Sequence, residues 1–123
     1  MRIILADDRA PVRSALRLLL RYHPGVEIVG EAVDTRGLLD WVKATCPDLV
    51  LLDWELPGLA PATLLPLLRE QCPDLRVIAF SSKPEVRRAA LEAGADLFVS
   101  KGDPPEEVLA AVDRCREGEQ ENV

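Results

Sequence analysis

Leu49-Val50-Leu51-Leu52-Asp53-Trp54-Glu55-Leu56-Pro57-Gly58 sets a wholly apolar run against an abrupt acidic stop and a proline-glycine turn. A short strand with no polar residue is buried on both faces, the state of a central strand in a parallel sheet. Outward from it the same phrase recurs in both directions. Arg2 to Ala6 is a compact apolar run stopped by Asp7-Asp8, and Val26 to Ala32 alternates toward strand before Val33-Asp34. Downstream, Arg76 to Phe80 is apolar and ends at Ser81, and Leu97 to Ser100 ends at Lys101.

Helical segments separate these strands. After Pro11, Leu16, Leu19 and Leu20 fall at helical spacing while Arg13, Arg17 and Arg21 share another face, until His23-Pro24-Gly25 breaks the run. Asp34 or Thr35 can cap a second helix through about Thr45, with Pro47-Asp48 after it. A proline-rich turn leads to a third helix ending near Gln71. There Thr63 is a candidate cap that would place Pro66 in the first turn, where its missing N–H costs little. Pro84 to Ala93, closed by Gly94, and Pro104 to Arg116, closed by Gly118, complete the set. Short strands alternating with helices predict an α/β fold, a doubly wound five-stranded parallel sheet in the order 2-1-3-4-5. The right-handed crossover rule puts the C-terminal ends of the strands on one edge, where ligands bind.

The chain's 123 residues suit one domain, expected over residues 1–118, with 119–123 as a loose C-terminal tail. Nearly half of the residues are apolar and under a third charged, which excludes wholesale disorder. No run approaches the ~20 apolar residues that span a bilayer, so the expected location is the cytoplasm. The net charge of −6 disfavours direct binding to a nucleic-acid backbone. Cys46, Cys72 and Cys115 show no CxxC spacing and are expected to pack as small apolar residues, without a disulfide or zinc. His23 is expected in an exposed loop, Trp54 half-exposed beside Asp53, and Trp41 packed on the sheet.

The strand endings carry the chemistry. Neighbouring first and third strands bring Asp7, Asp8 and Asp53 together, and three carboxylates that close demand a divalent cation; oxygen ligation suits Mg²⁺. Asp8 and Asp53 are expected to bind it directly, with the carbonyl of Glu55 as a further ligand and Asp7 acting through water. Lys101, one of only three lysines, stands where its ammonium can reach Asp53, and Ser81 offers a hydroxyl. A carboxylate so placed can attack a phosphoryl group, with the metal, Lys101 and Ser81 taking up charge on its oxygens.

With those residues the chain resembles the receiver domains of two-component response regulators, the flavodoxin/CheY-like (βα)5 fold. The resemblance rests on Ile-Ile-Leu-Ala-Asp7-Asp8, Leu-Val-Leu-Leu-Asp53-Trp-Glu-Leu-Pro57-Gly58, Ser81 after Val-Ile-Ala-Phe, and Lys101 after Phe98-Val-Ser. Arg-Ala-Pro-Val-Arg-Ser-Ala-Leu-Arg-Leu-Leu-Leu, Val-Glu-Ile-Val-Gly-Glu-Ala and Lys101-Gly-Asp-Pro-Pro-Glu-Glu-Val are similar to the NarL/FixJ (LuxR-type) branch. The resemblance implies a phosphoryl group passed from a sensor histidine kinase to Asp53. It also implies that Ser81 and Phe98 switch the face made by the fourth helix, fifth strand and fifth helix, with homodimerisation on phosphorylation. Such a protein is not an enzyme beyond promoting its own aspartyl phosphorylation and dephosphorylation. DNA would be reached only through a helix-turn-helix output domain, which these residues do not include.

Departures from the branch pattern are a stretch between Ser81 and Lys101 about two residues short, Phe98 in place of the commoner tyrosine, and Gly102 where many receivers have proline. Glu55 and Lys83, each two residues past a site residue, are expected to pair across the cleft and slow dephosphorylation. A rival reading is a pseudo-receiver, an interaction module that keeps the fold without phosphorylation; the full site set favours the first. A hydrolase of the haloacid dehalogenase type fits poorly, since Glu55 stands where those enzymes need a second aspartate.

Overall fold

The structure, a computed structural model, describes residues 1–121. In chain order the elements are β1 (Arg2–Ala6), α1 (Ala10–Leu20), β2 (Glu27–Ala32), α2 (Thr35–Thr45), β3 (Leu49–Asp53) and α3 (Pro61–Gln71). They continue as β4 (Arg76–Ser81), a 3₁₀ turn (Pro84–Val86), α4 (Arg87–Glu92), β5 (Leu97–Ser100) and α5 (Glu106–Arg116). The strands form one five-stranded sheet in the order β2-β1-β3-β4-β5, every pair parallel, as expected from sequence.

Strand alternation sorts the core into two layers. Ile4, Ala6, Val50, Leu52, Val77 and Ala79 face Leu38 and Val42 of α2 and Leu64, Leu65 and Leu68 of α3. Ile3, Leu5, Leu49, Leu51, Ile78, Leu97 and Val99 face Leu16 and Leu20 of α1 and Val108 and Val112 of α5. Every residue of β3 is buried, because helices cover both faces. The register that positions the site pairs Ala6 with Leu52, Asp53 with Phe80, and Ser81 with Ser100.

Several local expectations need correction. Asp34 caps α2 by accepting the Gly37 amide at 2.7 Å, but α3 begins at Pro61 with Ala60 as its N-cap. Pro66 therefore lies inside α3 rather than in its first turn. The helix expected from Pro84 to Ala93 divides into a 3₁₀ turn over Pro84–Val86 and six helical residues, Arg87–Glu92. His23 is not a free loop residue; its Nε2 lies 2.8 Å from Asp113 Oδ1 of α5, with 17% of the side chain exposed. Trp41 does pack on the sheet as expected, its ring over Gly30 of β2 so closely that a Cβ there would strike it, although it remains 38% exposed.

The cysteine expectation fails for two of the three. Cys46 and Cys72 are joined as a disulfide with Cα atoms 5.8 Å apart, while Cys115 is free and buried. These cysteines cap the C-terminal ends of α2 and α3, which lie side by side on one face. The 26-residue separation conceals a contact that the crossover topology creates. Glu119 to Glu121, read from sequence as part of a loose tail, are fastened. The Gln120 amide donates to Asp96 Oδ1 at 2.8 Å, the Glu121 N–H donates to the Asp96 carbonyl at 2.7 Å, and Glu121 pairs with Arg87. Residues 122–123 of that tail lie outside the described residues.

Candidate functional site

Asp7 follows β1, Asp53 ends β3, Ser81 ends β4 and Lys101 follows β5, so all four stand at one edge of the sheet. Carboxylate oxygens of Asp7, Asp8 and Asp53 all lie within 4.8 Å of one another. Asp7 and Asp53 are 1% and 4% exposed, while Asp8 faces solvent at the rim. The Lys101 ammonium lies 2.8 Å from Asp7 Oδ2 and 3.4 Å from Asp53 Oδ1, closing the acid group from the β5 side.

Surrounding contacts fix these groups. The Asp7 side chain accepts the Arg9 amide at 2.8 Å, and the Asp7 carbonyl accepts Arg13 Nη1 at 2.8 Å. Arg13 also pairs with Glu31 at 3.1 Å, tying the acidic loop to the end of β2. Asp53 Oδ1 accepts the Glu55 amide at 3.0 Å, an Asx-type contact that sets the turn after β3. That turn is held from α2, since Thr35 donates its amide to the Pro57 carbonyl at 2.9 Å and its hydroxyl accepts the Leu59 amide at 3.0 Å. Gly58 has φ +121° and a Cβ there would run into Thr35 Oγ1, so only glycine fits.

Burial pushes the Asp53 carboxyl above its ordinary 3.8; Asp7 adds to the rise, and the Glu55 amide and the Lys101 ammonium offset it only partly. Burial also works against the Lys101 ammonium, but Asp7 and Asp53 outweigh it and raise this group above its usual 10.5. One lysine against three carboxylates leaves an excess of two negative charges, although Asp8 stands at the solvent-facing rim while Asp7 and Asp53 are buried. An oxygen-only donor set with that excess fits a small hard dication.

The residues expected from sequence to meet, Asp7, Asp8, Asp53, Lys101 and Ser81, share this edge. Ser81 is fully buried and donates its hydroxyl to Glu55, 2.8 Å to Oε1. Glu55 therefore does not take the partner expected for it. Among the described residues it makes no ion pair with Lys83, whose side chain is exposed and whose amide donates to Ser81 Oγ at 3.0 Å. The loop after β4 turns the lysine outward, leaving the serine hydroxyl as the nearest donor. Phe98 is half-buried against the α2/α3 core layer, and its N–H donates to Glu121 Oε1 at 3.4 Å. Among the described residues all peptide bonds are trans, including Lys101-Gly102. Sequence reasoning missed Thr35 and Arg13. Their signals were the Pro57-Gly58 turn that needs a neighbour, and an arginine one turn into α1 beside Asp7.

A parallel sheet in this order, with acidic groups and a lysine at its C-terminal edge, defines the CheY-like class of α/β domain. Residues 3–113 match the family described as the response regulator receiver domain, and the chain belongs to that family. It is 33% identical over 119 residues to the nitrate/nitrite response regulator protein NarL of Escherichia coli K12, covering 95% of this chain and 55% of that protein. It is 38% identical over 120 residues to the transcriptional activator protein ExaE of Pseudomonas putida, covering 96% and 56%. Among solved structures, a LuxR-family two-component response regulator from Aurantimonas sp. SI85-9A1 superposes with a TM-score of 0.89 at 30% identity, over 97% of this chain and 86% of that one. The chain thus spans about half the length of the curated relatives it matches.

Proposed function

We propose that this domain is a phosphorylation switch: Asp53 accepts a phosphoryl group from a histidine kinase in the cytoplasm, and the resulting change of packing governs an output function or partner. The observation that carries the reading is the buried Asp53 carboxylate flanked by Asp7, Asp8 and Lys101. Asp8, Asp53 and the Glu55 carbonyl would hold Mg²⁺, with Asp7 acting through water, and the bound ion would neutralise charge on the phosphoryl oxygens.

In the transfer, an Asp53 oxygen forms the new P–O bond while the P–N bond of a phosphohistidine breaks. Its electron pair goes to the imidazole nitrogen. Lys101, already against Asp53 Oδ1, holds a phosphoryl oxygen. Ser81 can do the same only by leaving Glu55, so its hydroxyl trades one anionic acceptor for another. That exchange, with the ring of Phe98, would shift the population of the face formed by α4, β5 and α5. Homodimerisation through this face, and control of DNA by an output domain of the kind NarL-type relatives carry, belong to the same proposal.

Trp54 adjoins the acceptor and is half-buried. Its fluorescence is expected to change on adding Mg²⁺ and again with beryllofluoride, the second change vanishing in Asp53→Ala. Silence to both at millimolar Mg²⁺ would support the pseudo-receiver instead.

A further inference from the structure

We propose that Cys46 and Cys72 form a reversible thiol–disulfide site, closed by exchange with a small aliphatic disulfide, that clamps the C-terminal ends of α2 and α3. Both cysteines open the same four residues, Cys46-Pro47-Asp48-Leu49 and Cys72-Pro73-Asp74-Leu75, and each is the C-cap of its helix. Equivalent positions in consecutive helix-to-strand connections put their Cα atoms 5.8 Å apart, inside the range a disulfide requires. Cys46 has φ +40°, the one non-glycine residue with positive φ among the described residues. That place at a helix end ordinarily takes glycine or asparagine. A cysteine there sits against backbone preference, and what it adds is a sulfur directed at Cys72.

Exposure fixes the order of events. Cys46 is exposed and Cys72 is 3% exposed, so only the first can meet a reagent. The Cys46 thiolate attacks a small disulfide RS–SR, forming a mixed disulfide and releasing one thiolate. The Cys72 thiolate then attacks the Cys46 sulfur and releases the second. Two protein thiols become a disulfide, the small disulfide is reduced to two thiols, and the protein protons pass to them. Cys115 takes no part. It lies in the core layer under α5, its thiol pushed up to about 11 by burial.

The covalent loop contains β3, Asp53 and all of α3. At the opposite end of the same helix pair, Thr35 holds Pro57 and Leu59. The disulfide and Thr35 thus fasten α2 to the acceptor-bearing segment at both ends. Reversibility rests on the proposed cytoplasmic setting, where a thiol pool keeps such bonds transient.

The test equilibrates the full chain with oxidised and reduced glutathione at graded ratios, alkylates free thiols after unfolding, and weighs the product. Oxidising ratios are expected to leave one alkylated cysteine, Cys115, and reducing ratios three. The oxidised form is expected to melt ~5–10 °C higher. Cys72→Ser should accumulate a glutathione adduct on Cys46, and Cys46→Ser should accumulate none on Cys72. Three alkylated cysteines at every ratio, a bond that persists at every ratio, a pairing through Cys115, or the adduct on Cys72 would each overturn the proposal. None of these readouts involves Asp53 phosphorylation, so failure here and failure of the phosphoryl-acceptor reading are separable.

Discussion

Lys101 is the residue on which the site's electrostatics turn. It is 17% exposed and contacts two buried carboxylates. Lys101→Met strands Asp7 and Asp53 together and is expected to destabilise the metal-free protein by ~2–3 kcal/mol in urea unfolding. Asp53→Asn should act the other way, removing one of two like charges that burial already penalises, and stabilise by ~1 kcal/mol at neutral pH. The sign follows from linkage. Asp53 is raised above 3.8, so its contribution to stability is full below that pH and is lost as pH rises through its folded value. The gap between Asp53→Asn and the parent should therefore be absent at lower pH, open as pH rises, and level off. Lys101 is raised above 10.5, and its contribution persists up to that pH and is lost beyond it. The acidic groups and Lys101 were legible in the sequence because each ends an apolar run, and strand ends share an edge whatever the side-chain rotamers do. Glu55 was misassigned because the choice between Ser81 and Lys83 depends on the path of the loop after β4, which no periodicity reports.

Helix α3 shows where local rules and tertiary context part. Pro66 sits in its interior on an exposed face, where it removes one backbone hydrogen bond and crowds the preceding turn. The helix persists because Leu64, Leu65 and Leu68 are at most 1% exposed. Pro66→Ala loses no buried area and restores the hydrogen bond, while loosening the unfolded chain. The net expectation is a gain of ~1 kcal/mol in thermal or urea unfolding. Sequence placed the cap at Thr63 because a hydroxyl suits an N-cap. The chain instead uses Pro61 at the helix start, with φ preset, and no side-chain cap. Most strands were more legible than helix ends because the runs of β1, β3 and β4 are nearly all apolar, whereas among the helix starts only that of α2 carries a side-chain cap, from Asp34.

At the scale of the molecule, the N-terminal ends of β4 and β5 are held by one buried acid. Asp96, 2% exposed, accepts Arg69 at 2.9 Å, the Val77 amide at 2.8 Å and Gln120 at 2.8 Å, with Arg76 at 3.6 Å. Asp96→Ala removes the carboxylate partner of Arg69 and Arg76 and the acceptor of the buried Val77 amide, and is expected to cost ~3 kcal/mol, read from the urea midpoint. The arrangement joins α3, the sheet and the segment after α5, so it was invisible to a reading that proceeds one element at a time. The disulfide escaped for the same reason. The doubly wound topology was legible because it needs only the order and polarity of elements, and the site follows from that topology. The central claim, that this edge of the sheet captures a phosphoryl group on Asp53, is tested most directly by intact-mass measurement after acetyl phosphate is added with Mg²⁺. The chain should gain one phosphoryl group, placed on Asp53 by borohydride trapping, with no gain in Asp53→Asn or without Mg²⁺. An unmodified parent chain, or equal labelling of Asp53→Asn, would contradict it.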